Sequence, residues 1–165
     1  MSAALLEREI ILNPEMREFP EFSLTRLLSN VFEPTEGCRV CLLIDLEDMS
    51  LMEGYRFLDA EGHEVQKKAY EEFYLGLKDG GLTELGMTGG EMFAFPMTYG
   101  SNLDLKDECY DAEGRELSLD RDIYPHYDII LCLSTYSATA PLTAKCKDFG
   151  FRGATMHGVN DIILN

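Results

Sequence analysis

Two uninterrupted apolar runs constrain this chain more than any other feature. "RVCLLID" occupies residues 39–45 and "YDIILCLST" residues 127–135. Neither alternates apolar with polar, as a strand wet on one face would. Each therefore reads as a strand covered on both sides, which is how parallel sheets are built. "EMFAFPMTYG", closed by Pro96 and Gly100, and the short "FRGATM" read as two more strands. Between them lie helical patterns. "FSLTRLLSNVF" repeats Leu24, Leu27, Leu28 and Val31 at helical spacing behind Ser23, a suitable N-cap. "LEDMSLMEGYRFL" suggests a loop and a short helix. "EVQKKAYEEFYLGLKDG" lines up Val65, Ala69, Phe73 and Leu77, with Gly80 and Gly81 as its stop. "APLTAKCKDFG" has Pro141 in its first turn and Gly150 past its end. "VNDIILN" opens a last helix. The polar stretch "DLKDECYDAEGRELSLDRDIYP" reads as an excursion ending in a short helix capped by Ser118.

Strands alternating with helices give an α/β fold: a mainly parallel, Rossmann-like sheet of about four to five strands with helices on both faces. With 165 residues, one domain with one sheet is expected. Ligands of such sheets bind beyond the carboxyl ends of the strands. Here those ends carry Asp45, Tyr99, the run Ser134, Thr135, Tyr136, Ser137 and Thr139, and the segment from Arg152 through Thr155 to His157. These are the candidate site residues, assigned to holding a peptide. Hydroxyls and tyrosine rings suit adaptable peptide contacts, and Arg152 suits a carboxylate.

The charge removes several function classes. A net charge of −16 repels nucleic acid, and the longest basic cluster is the pair Lys67–Lys68. Cationic or neutral partners fit better. No apolar run is long enough to cross a bilayer, and the N-terminus lacks the basic start of a signal peptide. A cytoplasmic location without membrane association is expected. Five cysteines, an odd number, fit reduced thiols. Cys38 and Cys41 form a C-x-x-C, but no second metal-ligand pair follows at zinc spacing.

Catalytic motifs are weak throughout. No glycine-rich phosphate loop follows a strand, and "TGG" at residues 88–90 precedes one. "STYSA" lacks the glycines of a nucleophile elbow. Of the three histidines only His157 falls at a strand end. Asp45, Asp48, His157 and Asp161 are metal candidates by position alone, in a chain where carboxylates are abundant. No cofactor, metal or catalytic residue is assigned.

The segments "RVCLLIDLED", "VQKKAYEEFYLGL" and "YDIILCLSTYSATAPLTAKCKDFGFRGATMHGVND" resemble the N-terminal domain of the thermophilic-type metallo-aminopeptidases, an architecture shared with dihydroxypyridine dioxygenases. The resemblance runs from about Leu24 to the end. In that family a Glu, His, Tyr and Asp set in a second, C-terminal domain holds the metal. The resemblance thus implies that residues 1–165 are a single aminopeptidase N-terminal-like domain without the catalytic metal domain. Similar stand-alone domains occur in peptide natural-product pathways of the crocagin type. There the resemblance implies a non-catalytic helper that binds a ribosomal precursor peptide for modifying enzymes. The alternative it implies is a fragment or relative of a metal-dependent aminopeptidase or ring-cleaving dioxygenase. Two-domain members of the family dimerise, so a homodimer is also expected.

Overall fold

The protein was analysed as a computed structural model that describes residues 20–160 and residue 164. Six strands form one sheet: β1 (Arg39–Leu46), β2 (Thr88–Pro96), β3 (Glu108–Tyr110), β4 (Glu116–Ser118), β5 (Ile129–Ser134) and β6 (Arg152–His157). Their order is β4-β3-β2-β1-β5-β6. β2, β1, β5 and β6 run parallel, while β3 and β4 are added antiparallel at one edge. The fold is therefore α/β with a mixed, mostly parallel sheet. The two apolar runs pair with each other at its centre, Val40–Ile44 against Ile129–Leu133.

Against the four to five strands expected, the described residues form six. β3 and β4 lie inside the polar excursion, three residues each, and only Cys109 among them is fully buried. Strands that short leave no apolar run to read. The excursion does end as expected. Ser118 Oγ accepts from Arg121 N at 3.0 Å and caps the helical turn Leu119–Ile123.

The helices cover both faces. α1 (Leu24–Phe32), a 3-10 segment (Met49–Leu58) and a helical run over residues 64–85 pack on one. α4 (Thr139–Phe149) and the turns at Leu119–His126 pack on the other. Burial on α1 falls on Leu24, Leu28 and Phe32, while Val31 is 57% exposed. Ser23 Oγ caps α1 by accepting from Arg26 N, and Glu33 in a left-handed conformation ends it.

The run over residues 64–85 departs from a plain helix. It begins as α2 (Glu64–Lys68), widens into π-helical turns at Ala69–Tyr74 and Leu77–Gly81, and closes as α3 (Leu82–Leu85). Gly80 bends it at φ 126°, but Gly81 stays helical, and the stop is Gly86. The helix needs glycine at 81, because a Cβ would sit 2.5 Å from Gly76 O. "TGG" forms the start of β2. Val40 pairs with Gly89 but Cys41 with Glu91, so Gly90 is an extra, bulged residue. Gly89 holds φ 85°, and a Cβ there would lie 2.6 Å from Val40 O. Of the helix expected to open in "VNDIILN", Val159 and Asn160 are not helical, and the rest lies largely outside the described residues. Among the described residues no helix is long and apolar enough to cross a membrane.

Candidate functional site

From β1 the chain winds outward to β2, then returns past β1 to lay down β5 and β6 on the other side. The winding reverses between β1 and β5, and a crevice is expected at their carboxyl ends. Asp45 stands at that seam, 1% exposed, and donors surround it. Thr135 N lies 2.9 and 3.0 Å from its two carboxylate oxygens, and Thr135 Oγ1 donates to Oδ1 at 3.2 Å. Gln66 Nε2 donates to Asp45 Oδ1 at 2.6 Å and to Asp45 O at 2.8 Å, and lies 3.0 Å from Thr135 Oγ1. Burial pushes the Asp45 carboxyl above its ordinary range, opposed by the hydrogen bonds from Thr135, Gln66 and the Tyr136 backbone. Asp45 thus ties β1, α2 and the turn after β5 together. It lies beneath the rim rather than on it.

Ser134 is likewise interior. It is fully buried, and its hydroxyl donates to Tyr136 O at 2.6 Å, bending the chain sharply out of β5. The next hydroxyls form the rim itself. Ser137 Oγ lies 3.1 Å from Thr139 Oγ1 and donates to Asn102 Oδ1 at 3.3 Å. Thr139 Oγ1 lies 2.6 Å from Thr155 Oγ1 on β6. Asn102 locks the loop after β2 onto this chain: its N–H donates to Ser137 O, and its Oδ1 accepts from Ala140 N. Asn102 therefore caps the start of α4 from outside the helix. Beside it Tyr99 and Leu103 are 63% and 52% exposed and border a depression of 340 Å³ with Lys106. Tyr99 and Asn102 both hold left-handed backbones, at φ 57° and φ 60°. His157 is exposed at the end of β6, opposite Ser134 in register.

Of the ten residues expected here, Tyr99, Thr135, Tyr136, Ser137, Thr139, Thr155 and His157 gather at the carboxyl ends. Arg152 does not, and its assignment is corrected. It opens β6 opposite Ile129, at the amino end of the sheet. Its Nη1 donates to Phe32 O at 2.6 Å and its guanidinium lies over the Phe32 ring, 5.7 Å from the centroid. It therefore clamps the end of α1. Three contributors were missed. Gln66 adjoins Val65, the residue the helical pattern favoured; Ser101, whose Oγ accepts from Ser137 N at 3.4 Å, and Asn102 lay just past Gly100, the close of the second strand, and were given no role. The positional signal available for Asn102 was its type, since asparagine tolerates left-handed turns.

The other candidates are occupied by structural duties. Asp48 caps the 3-10 segment, accepting from Ser50 N at 2.9 Å. Cys38 and Cys41 pack in separate apolar clusters, on opposite faces. Burial pushes the Cys41 thiol well up and those of Cys109 and Cys132 to about 12, which disfavours the thiolate needed for metal or redox work. Among the described residues no three His, Cys, Asp or Glu side chains converge to hold a metal ion. Asp161 lies outside them.

No protein-family model, no curated protein and no solved structure matches this chain.

Proposed function

We propose that the protein is a non-catalytic peptide-binding protein whose rim lies across the carboxyl ends of β2, β5 and β6. We read its four parallel strands as a Rossmann-like domain of the aminopeptidase N-terminal type. The resemblance noted above adds the class of ligand, a ribosomal precursor peptide on its way to modification. One observation carries the reading. Polar side chains of Asn102, Ser137, Thr139 and Thr155 are held in a fixed array beside the exposed ring of Tyr99. A hydroxyl has one donor and two acceptor positions, so these groups retain capacity for a ligand's backbone. The exposed ring adds apolar contact area at small entropic cost.

Chemical-shift mapping tests this. On adding a basic decapeptide to 15N-labelled protein, shifts are expected at Tyr99, Asn102, Ser137, Thr155 and His157. Binding that leaves those signals unmoved, or no binding by the folded protein, overturns the rim as the site. Stoichiometric zinc, cobalt or iron retained by the purified chain would overturn the non-catalytic reading.

A further inference from the structure

β2 is covered unevenly along its length. On its inner side it pairs with β1 from Thr88 to Pro96. On its outer side β3 meets it at one position, Ala94 opposite Tyr110. Met97 N donates to Leu46 O, toward β1. Backbone groups alternate sides along a strand, so those of Met92, like those of Ala94, point outward. The residue that an extended β3 would place opposite Met92 is Ala112. Its carbonyl instead accepts from Gly54 N at 2.8 Å, and β3 veers away. Met92 is 2% exposed, and among the described residues no backbone partner meets its outward N–H and C=O. Buried backbone pairs left open in this way are rare, and this one faces a cleft of 350 Å³.

The cleft has two chemically distinct walls. On one face stand the rings of Tyr55 and Tyr74, 5.4 Å apart between centroids. The π-helical turn at Ala69–Tyr74 stacks Tyr74 on Tyr70, and Tyr55 is held against both in a left-handed conformation (φ 56°, ψ 38°). Left-handed backbone at a non-glycine residue is costly and gathers at functional sites. On the other face is Glu91. Its Oε2 is buried with no hydrogen-bond partner, and its Oε1 is 3.9 Å from Arg39 Nη2. Tyr127 lies close enough to Glu91 that the carboxylate, after burial, helps push its hydroxyl up. The cations at the cleft are already engaged. Lys78 Nζ donates to Gly89 O at 3.2 Å, and Arg115 pairs with Asp111 at 2.7 Å.

We propose that the outer edge of β2 is a docking strand for an extended basic segment of a peptide. The segment adds at Met92, exchanging backbone hydrogen bonds with it. Side chains alternate across a strand, so a lysine or arginine reaches Glu91 while its neighbour packs on Tyr55 and Tyr74. Charge decides between ligands: Glu91 has only the long contact to Arg39, its Oε2 accepts no hydrogen bond, and a molecule of net charge −16 favours a cation there. The inference rests on the protein being a peptide binder and gives it a contact surface distinct from the hydroxyl rim.

The test is fluorescence anisotropy with a labelled Lys-Val-Lys-Val-Lys-Val peptide, its backbone N-methylated form and its Glu-Val counterpart. Wild type is compared with Glu91→Lys and with the rim variant Tyr99→Ser, all checked for folding by circular dichroism. The Lys-Val peptide is expected to bind wild type. N-methylation and Glu91→Lys are each expected to weaken it by about tenfold or more, and the Glu-Val peptide to show no binding. N-methylation is read on the unaltered protein, so it cannot be confounded by misfolding. Binding that survives both changes overturns the docking strand. If Tyr99→Ser then abolishes it, the peptide-binding reading stands at the rim alone. If none of the three peptides binds folded wild type, both are overturned.

Discussion

Asp45 shows how a residue placed by pattern takes its role from its surroundings. Its position closing the first apolar run was legible in the sequence, and so was its place among the strand ends with Thr135; the pairing of β1 with β5 that brings the two together was not. What it does there was not legible, because Gln66 reaches it from a helix face read as apolar. Every hydrogen bond the Asp45 side chain accepts comes from a donor. Asp45→Asn keeps the shape but points an N–H₂ at one of those donors. A buried donor left without an acceptor costs about 1–3 kcal/mol. Urea unfolding should therefore show a loss of that size, whereas Tyr99→Ser, on the open rim, should leave the midpoint nearly unchanged.

Elements with a dense apolar signal were readable, and those built from polar loops were not. α1, β1, β2, β5, α4 and β6 follow directly from periodicity and caps. Even in α1 the buried stripe is shifted by one position, because the helix rolls Phe32 inward and leaves Val31 to solvent. Leu28→Ala should cost about 2–5 kcal/mol, as deletions of fully buried leucine side chains do. Val31→Ala should lie within about 0.5 kcal/mol of wild type. The β3–β4 arm escaped the sequence because it is held by carboxylates rather than by an apolar face. Asp122 accepts from Ser118 N and pairs with Arg121, and Asp107 accepts from Ser118 Oγ and Asp120 N. The Arg121 hydrogen bond, with that from Ser118 N, depresses Asp122 from 3.8 to about 2, and the Ser118 hydroxyl likewise lowers Asp107. A depressed carboxylate supports the fold fully above its unfolded pKa and loses that support as pH falls through the folded value. Amide exchange at Ser118, Asp120 and Arg121 should therefore become less protected, relative to β1, as pH drops from about 4 to about 2. Equal protection throughout would show that these hydrogen bonds contribute nothing to the arm.

For the molecule as a whole, the charge is the dominant long-range term. Thirty acids against fourteen bases repel one another in the compact state. Raising salt from about 20 mM to about 300 mM shortens the Debye length and should raise the thermal midpoint, while weakening any basic peptide's association. A midpoint that falls with salt would mean that the local ion pairs outweigh the global repulsion. The seam between β1 and β5 has a further consequence, for how the chain is made. Asp45 and Thr135 are ninety residues apart in the chain, and they meet only when β5 is in place. During synthesis β1 and β2 can pair long before β5 leaves the ribosome. The unfinished sheet then carries a bare apolar flank, the flank on which β5 will lie. Nascent chains arrested just short of Ile129 should therefore recruit holding chaperones, and chains released past His157 should shed them as the last strands close over that flank.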